Sequence, residues 1–159
     1  MSTATATAPV WTPTEETVDV YTNGDCWFLA LELHRLTGFP MIFSASTYLI
    51  DEITGPSGYT EDWADAVFAW DHVGIELPDG RILDVNGPTD VESWLCAWST
   101  GDSISTADPS RIATLIRDDA GGSLKRLYPK HNARALARRL LNTFDIAFTG
   151  RRHRDALAG

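Results

Sequence analysis

Two cysteines, Cys26 and Cys96, and four histidines are present in the chain, and one grouping among them has the spacing of a reactive centre. Cys26 falls at or next to the first residue of an expected helix, behind a Gly24-Asp25 turn. A helix start presents unpaired N–H groups and the positive end of the dipole. Both favour thiolate, the nucleophilic form, and the same N–H groups can hold a developing oxyanion. His72 opens an expected strand, where an imidazole can take a thiol proton and later return it to a leaving group. Asp84 lies on the partner strand between Leu83 and Val85. A carboxylate there would fix the imidazole tautomer and stabilise its cation. Trp27, next to the nucleophile, is a candidate wall for an acyl site. Each residue alone has a plainer reading: an inert buried cysteine, a polar strand end, a surface aspartate, a core tryptophan. The combination is what points to chemistry.

Other candidates carry less. Trp94 and Trp98 stand at i and i+4 of an expected helix and read as core. Cys96 shares that helix without a nearby acid or imidazole and reads as structural. His34 reads as a surface or packing residue. His131 and His153 lack metal-ligand spacing, and no His/Cys cluster suggests zinc. Neither usual Gly-rich phosphate loop is present. The expectation is therefore a site with no metal and no cofactor.

The elements that must position these residues follow from local pattern. Phe28, Leu29, Leu33 and Leu36 recur at helical spacing, which predicts a helix from about Asp25 to Thr37, stopped by Gly38 and Pro40. Met41 to Tyr48 reads as a strand, residues 51–60 as a loop, and Glu61 to Phe68 as a short helix. His72–Leu77 and Arg81–Val85 form a hairpin around Pro78-Asp79-Gly80. That turn sets His72 and Asp84 at similar heights on strands ~4.8 Å apart. Thr89-Asp-Val-Glu92 reads as a capping box for a helix to about Thr100. Asp108-Pro109 opens another, to about Arg117. Asn132 to Phe144 predicts a final helix, with Ala135, Leu136, Leu140, Leu141 and Phe144 inward and Arg134, Arg138 and Arg139 outward or lateral. The fold class is α+β: a nucleophile helix packed on a small antiparallel sheet with helices on one side and extra helices at the C-terminus.

Gly24-Asp25-Cys26-Trp27-Phe28-Leu29-Ala30 resembles the Gly-x-Cys-Trp segment that opens the nucleophile helix of transglutaminases. Leu36-Thr-Gly-Phe-Pro40 is similar to that family's helix-ending segment. His72-Val-Gly-Ile-Glu-Leu-Pro-Asp-Gly-Arg-Ile-Leu-Asp84 resembles its histidine strand, turn and aspartate strand. The likeness spans roughly residues 21–87 and extends to the wider papain-like superfamily, arylamine acetyltransferases included. It implies Cys26 as nucleophile, His72 as base and acid, and Asp84 as orienter, on a papain-like or transglutaminase-core-like fold. Where papain-like proteases place an upstream glutamine as oxyanion donor, the nearest candidate is Asn23, whose plainer reading is a turn-shaping residue. The chain departs from the pattern in Val73-Gly74, where transglutaminases carry an aromatic, and in lacking an EF-hand-like acidic loop.

Length and charge bound the rest. At 159 residues the chain reads as one domain over 15–150, after a disordered arm at 1–14 and before a basic tail at 151–159. Residues 1–120 hold twenty acids against four basic residues; residues 121–159 hold nine basic residues against two acids. The acidic body disfavours nucleic acid as a partner. With no apolar run of ~20 residues and no basic leader, the expectation is a cytoplasmic protein without a membrane partner. The leading functional expectation is a cysteine hydrolase or acyltransferase acting on a protein, peptide or small amide. It would be a protease, deamidase or transamidase working through a Cys26 thioester, with hydrolysis favoured because 159 residues leave little room for two large substrate sites. The alternative is a non-enzymatic binding or inhibitory domain on the same fold, engaging a partner through its basic C-terminal helix.

Overall fold

The computed structural model describes residues 11–22, 25–45, 72–97, 103–110, 112–113 and 132–149. Among the described residues, four bounded helices and five strands follow in the order α1 (Glu15–Thr22), α2 (Cys26–Thr37), β1 (Met41–Ala45), β2 (His72–Glu76), β3 (Ile82–Asp84), β4 (Gly87–Thr89), α3 (Val91–Ala97), β5 (Ser103–Ala107) and α4 (Ala133–Thr143). The molecule is α+β, and its sheet is open and antiparallel with strand order β4-β3-β2-β1-β5. The expected loop at 51–60 and helix at 61–68 lie outside the described residues, as does Trp98.

Helix α2 begins and ends where its sequence dictates. The Asp25 carbonyl accepts from the N–H groups of Phe28 and Leu29, which starts the helix at Cys26. Gly38 ends it at φ 75°, a left-handed conformation that costs glycine little, and its N–H donates to the His34 carbonyl at 2.7 Å. His34 has a fastening role: its Nδ1 is 2.7 Å from the Phe39 carbonyl, tying the helix end to the approach of β1. Ahead of α2, the sequence gives little warning of α1. Thr14 caps it by accepting from the Thr17 N–H, and Val20 and Tyr21 are buried beneath it.

Side chains alternate across the strands, so the sheet has two unlike faces. Met41, Phe43, Val73, Ile75, Leu83 and Val85 join the large core with Leu29 and Leu33 of α2 and Leu140 and Leu141 of α4. Ile42 and Ile82 point the other way and pack with Trp94 of α3. Helical cover on one side alone, the expectation from the sequence, is therefore corrected: α3 lies on the second face. The hairpin turns where expected, with Gly80 at φ 84° and the Leu77 N–H donating to the Arg81 carbonyl at 2.8 Å. The cap of α3 falls one residue later than the Thr89 capping box. Asp90 Oδ1 accepts from the Ser93 N–H at 2.9 Å, while Thr89 completes β4.

Helix α4 matches its expected span, with Asn132 as N-cap accepting from the Ala135 N–H at 3.0 Å. Leu140 and Leu141 are buried and Leu136 and Phe144 half-buried, but Ala135 is exposed; Ala133 and Ala137 fill the inward stripe instead. Arg134, Arg138 and Arg139 all face outward. Arg134 approaches Glu32 at 3.6 Å, and Arg139 lies over the Trp11 ring at 5.1 Å from its centroid. Trp11, at the end of the arm preceding α1, also donates its indole N–H to the Val85 carbonyl at 2.8 Å.

Candidate active site

His72 and Asp84 share the second face of the sheet. Ile75 pairs with Leu83 and Glu76 with Ile82, and continuing that register sets Asp84 opposite Gly74, with His72 diagonal to it. A diagonal pair is reachable for a long side chain, and Gly74 lets β2 and β3 approach closely beside it. A Cβ at Gly74 would meet Ile82 Cγ2 at 2.8 Å and the Leu83 carbonyl oxygen at 2.9 Å. His72 Nε2 lies 2.9 Å from Asp84 Oδ2, with the two side chains 0% and 3% exposed.

Asp84 is held by more than its histidine. Oδ1 accepts from the Asn86 N–H at 2.8 Å. Oδ2 accepts a second bond, from the Trp94 indole N–H at 2.9 Å. The Trp94 ring stands 5.6 Å from the imidazole with planes tilted by 39°. Trp94 is buried, as the sequence suggested, yet it also belongs to the site. A clue was available, since a buried indole N–H usually finds an acceptor and Asp84 lies ten residues before it.

Cys26 is the first residue of α2, the helix packed against β2, and its side chain is among the groups that act on the His72 pKa. Burial disfavours the imidazolium, but hydrogen bonding to Asp84 and to Cys26, reinforced by the charges of both, outweighs it and raises the His72 pKa from 6.5 to about 9. The imidazole is thus held protonated against the Asp84 carboxylate.

The remaining expected residues divide. Trp27 is buried in the main core beside Cys26. Asn23 lies outside the described residues. Cys96 is exposed and unbridged, whereas Cys26 is buried. Ser44, not singled out from the sequence, stands directly across β1 from His72 on the same face. Its hydroxyl is fully buried and makes no hydrogen bond among the described residues. Among the described residues no group of His, Cys, Asp or Glu side chains is placed to hold a metal ion. None of their helices is long and apolar enough to cross a membrane. Compared with known proteins, the chain matches no family model, no curated protein and no solved structure.

Proposed function

We propose that this protein is a cysteine-dependent enzyme acting on an acyl or amide group, with Cys26 as nucleophile, His72 as acid and base, and Asp84 as orienter. The observation that carries the reading is the buried His72–Asp84 pair, 2.9 Å apart, on the strand against which the Cys26 helix packs. A buried imidazole and carboxylate are costly to assemble for packing alone. Cys26 would attack a carbonyl carbon, and the backbone N–H of Cys26, in the first turn of α2, would donate to the oxyanion. The proton held on His72 passes to the departing amine or alcohol as the C–N or C–O bond breaks, leaving a thioester. Water or an incoming amine then gives His72 a proton while attacking the thioester carbon, and the departing sulfur is released. Water makes the protein a hydrolase; an amine makes it a transamidase.

Cysteine alkylation tests the reading without knowledge of the substrate. Exposure alone predicts that Cys96 reacts first, because Cys26 is only 8% exposed. An activated Cys26 reverses that order: iodoacetamide at pH 7 should label Cys26 ahead of Cys96, and His72→Ala should abolish the preference. Labelling of Cys96 first in the wild-type protein sinks the proposal. It would favour the binding-domain alternative, in which α4 meets a partner. That alternative has less of the helix to work with, since Arg134 and Arg139 already engage Glu32 and Trp11.

A further inference from the structure

We infer that Trp94 is a positioning residue for the His72–Asp84 pair, acting through the carboxylate rather than through contact with substrate. The inference rests on the proposed reactive centre and extends it to a residue on the opposite side of the sheet from α2. Asp84 Oδ2 receives two donors, His72 Nε2 and Trp94 Nε1, each at 2.9 Å. With Oδ1 on the Asn86 N–H, both oxygens are held and the carboxylate cannot swing about its side-chain torsions. The indole does two further things. Its ring, 5.6 Å from the imidazole, covers the pair, and its own position is set by a short helix whose first turn is locked by the Asp90 cap and by the Trp94 N–H bonded to the Asp90 carbonyl. Ile42 and Ile82 close the other side of the indole. A purely apolar role would need only the ring. The N–H adds direction, because a hydrogen bond to a charged group weakens steeply with misalignment.

The test separates the N–H from the ring. Trp94→Phe keeps an aromatic in place and removes the donor. Ile42→Val trims the same packing cluster and leaves every hydrogen bond intact. Cys26 alkylation is followed from pH 5 to 10 in all three proteins. The rate should show an alkaline inflection where His72 loses its proton. In Trp94→Phe that inflection should move down by about one pH unit or more, so that the rate at pH 7 changes little while the rate at pH 10 falls about tenfold, the scale of one hydrogen bond to a charged group. Ile42→Val should track the wild type. A Trp94→Phe profile that superimposes on the wild type overturns the inference, as does an equal change in Ile42→Val. If Trp94→Phe does not fold, wild-type NMR decides. The assigned Trp94 indole proton should shift with the same midpoint as His72, and an indole proton indifferent to that titration overturns the inference. Slow alkylation of wild-type Cys26 would remove the proposed function while the NMR titration still judged the role of Trp94.

Discussion

Raising the pH should unfold this protein by a calculable amount, and Asp84→Asn should remove most of that dependence. The His72 pKa stands at about 9 in the folded protein against 6.5 for a free histidine. The folded chain therefore binds this proton more tightly than the unfolded chain. The stabilisation is complete below pH 6.5, falls as the pH rises, and is gone once the pH passes about 9. At about 1.4 kcal/mol per pKa unit, its size is ~3 kcal/mol, undiminished by solvent screening because the ring is fully buried. Burial opposes the imidazolium, so deleting the Asp84 charge leaves only Cys26 to sustain it and drives the pKa down. Urea unfolding followed by tryptophan fluorescence at pH 6, 7, 8, 9 and 10 reads both proteins, and groups common to the two cancel in the comparison. Wild type should lose ~3 kcal/mol across the series, and the variant less than half of that. The variant should start well below wild type at pH 6, and the two curves should draw together above pH 9. Parallel curves would refute the coupling of His72 to Asp84, whatever their separation.

Gly74→Ala should destabilise the fold by about 1–3 kcal/mol in the same unfolding assay, because its Cβ meets Ile82 Cγ2 at 2.8 Å and a backbone oxygen at 2.9 Å. A loss under ~0.5 kcal/mol would show that the β2–β3 crossing relaxes freely. Changing Arg134, Arg138 and Arg139 together to Glu should leave the protein folded at a cost of about 1–2 kcal/mol, from one exposed ion pair and one cation–π contact. Circular dichroism showing an unfolded chain would mean that α4 is more than a surface helix with one apolar stripe.

Some of this was legible in the sequence because it depends on neighbours along the chain. Gly38 and Pro40 end α2, Pro78-Asp79-Gly80 turns the hairpin, and Asn132 caps α4, each through local torsions and hydrogen bonds. The meeting of His72 and Asp84 belongs to the same class, since one short turn sets their register. What was hidden depends on distant partners. Strand β5 is Ser-Ile-Ser-Thr-Ala, with little apolar alternation, and becomes a strand by pairing along its length with β1. The hydroxyl of Ser44 and the indole of Trp94 matter only through facing groups on other elements. Ala135 was assigned inward by spacing, yet Ala133 and Ala137 fill that stripe against α2, which a periodicity of three and four residues does not resolve.

His72 and Asp84 are twelve residues apart, and Asp84 and Trp94 ten. The proton-handling half of the site is thus one continuous stretch, while the sulfur comes from a helix made much earlier in synthesis. On a ribosome the Cys26 segment emerges first, and the imidazole follows on the order of seconds later at ~5–20 residues per second. During that interval the thiol has no partner to share its proton. The hairpin spans few residues and closes with little loss of chain entropy, whereas docking α2 against it closes a much longer loop. Under the proposed function, reactivity would switch on only at that second, later step.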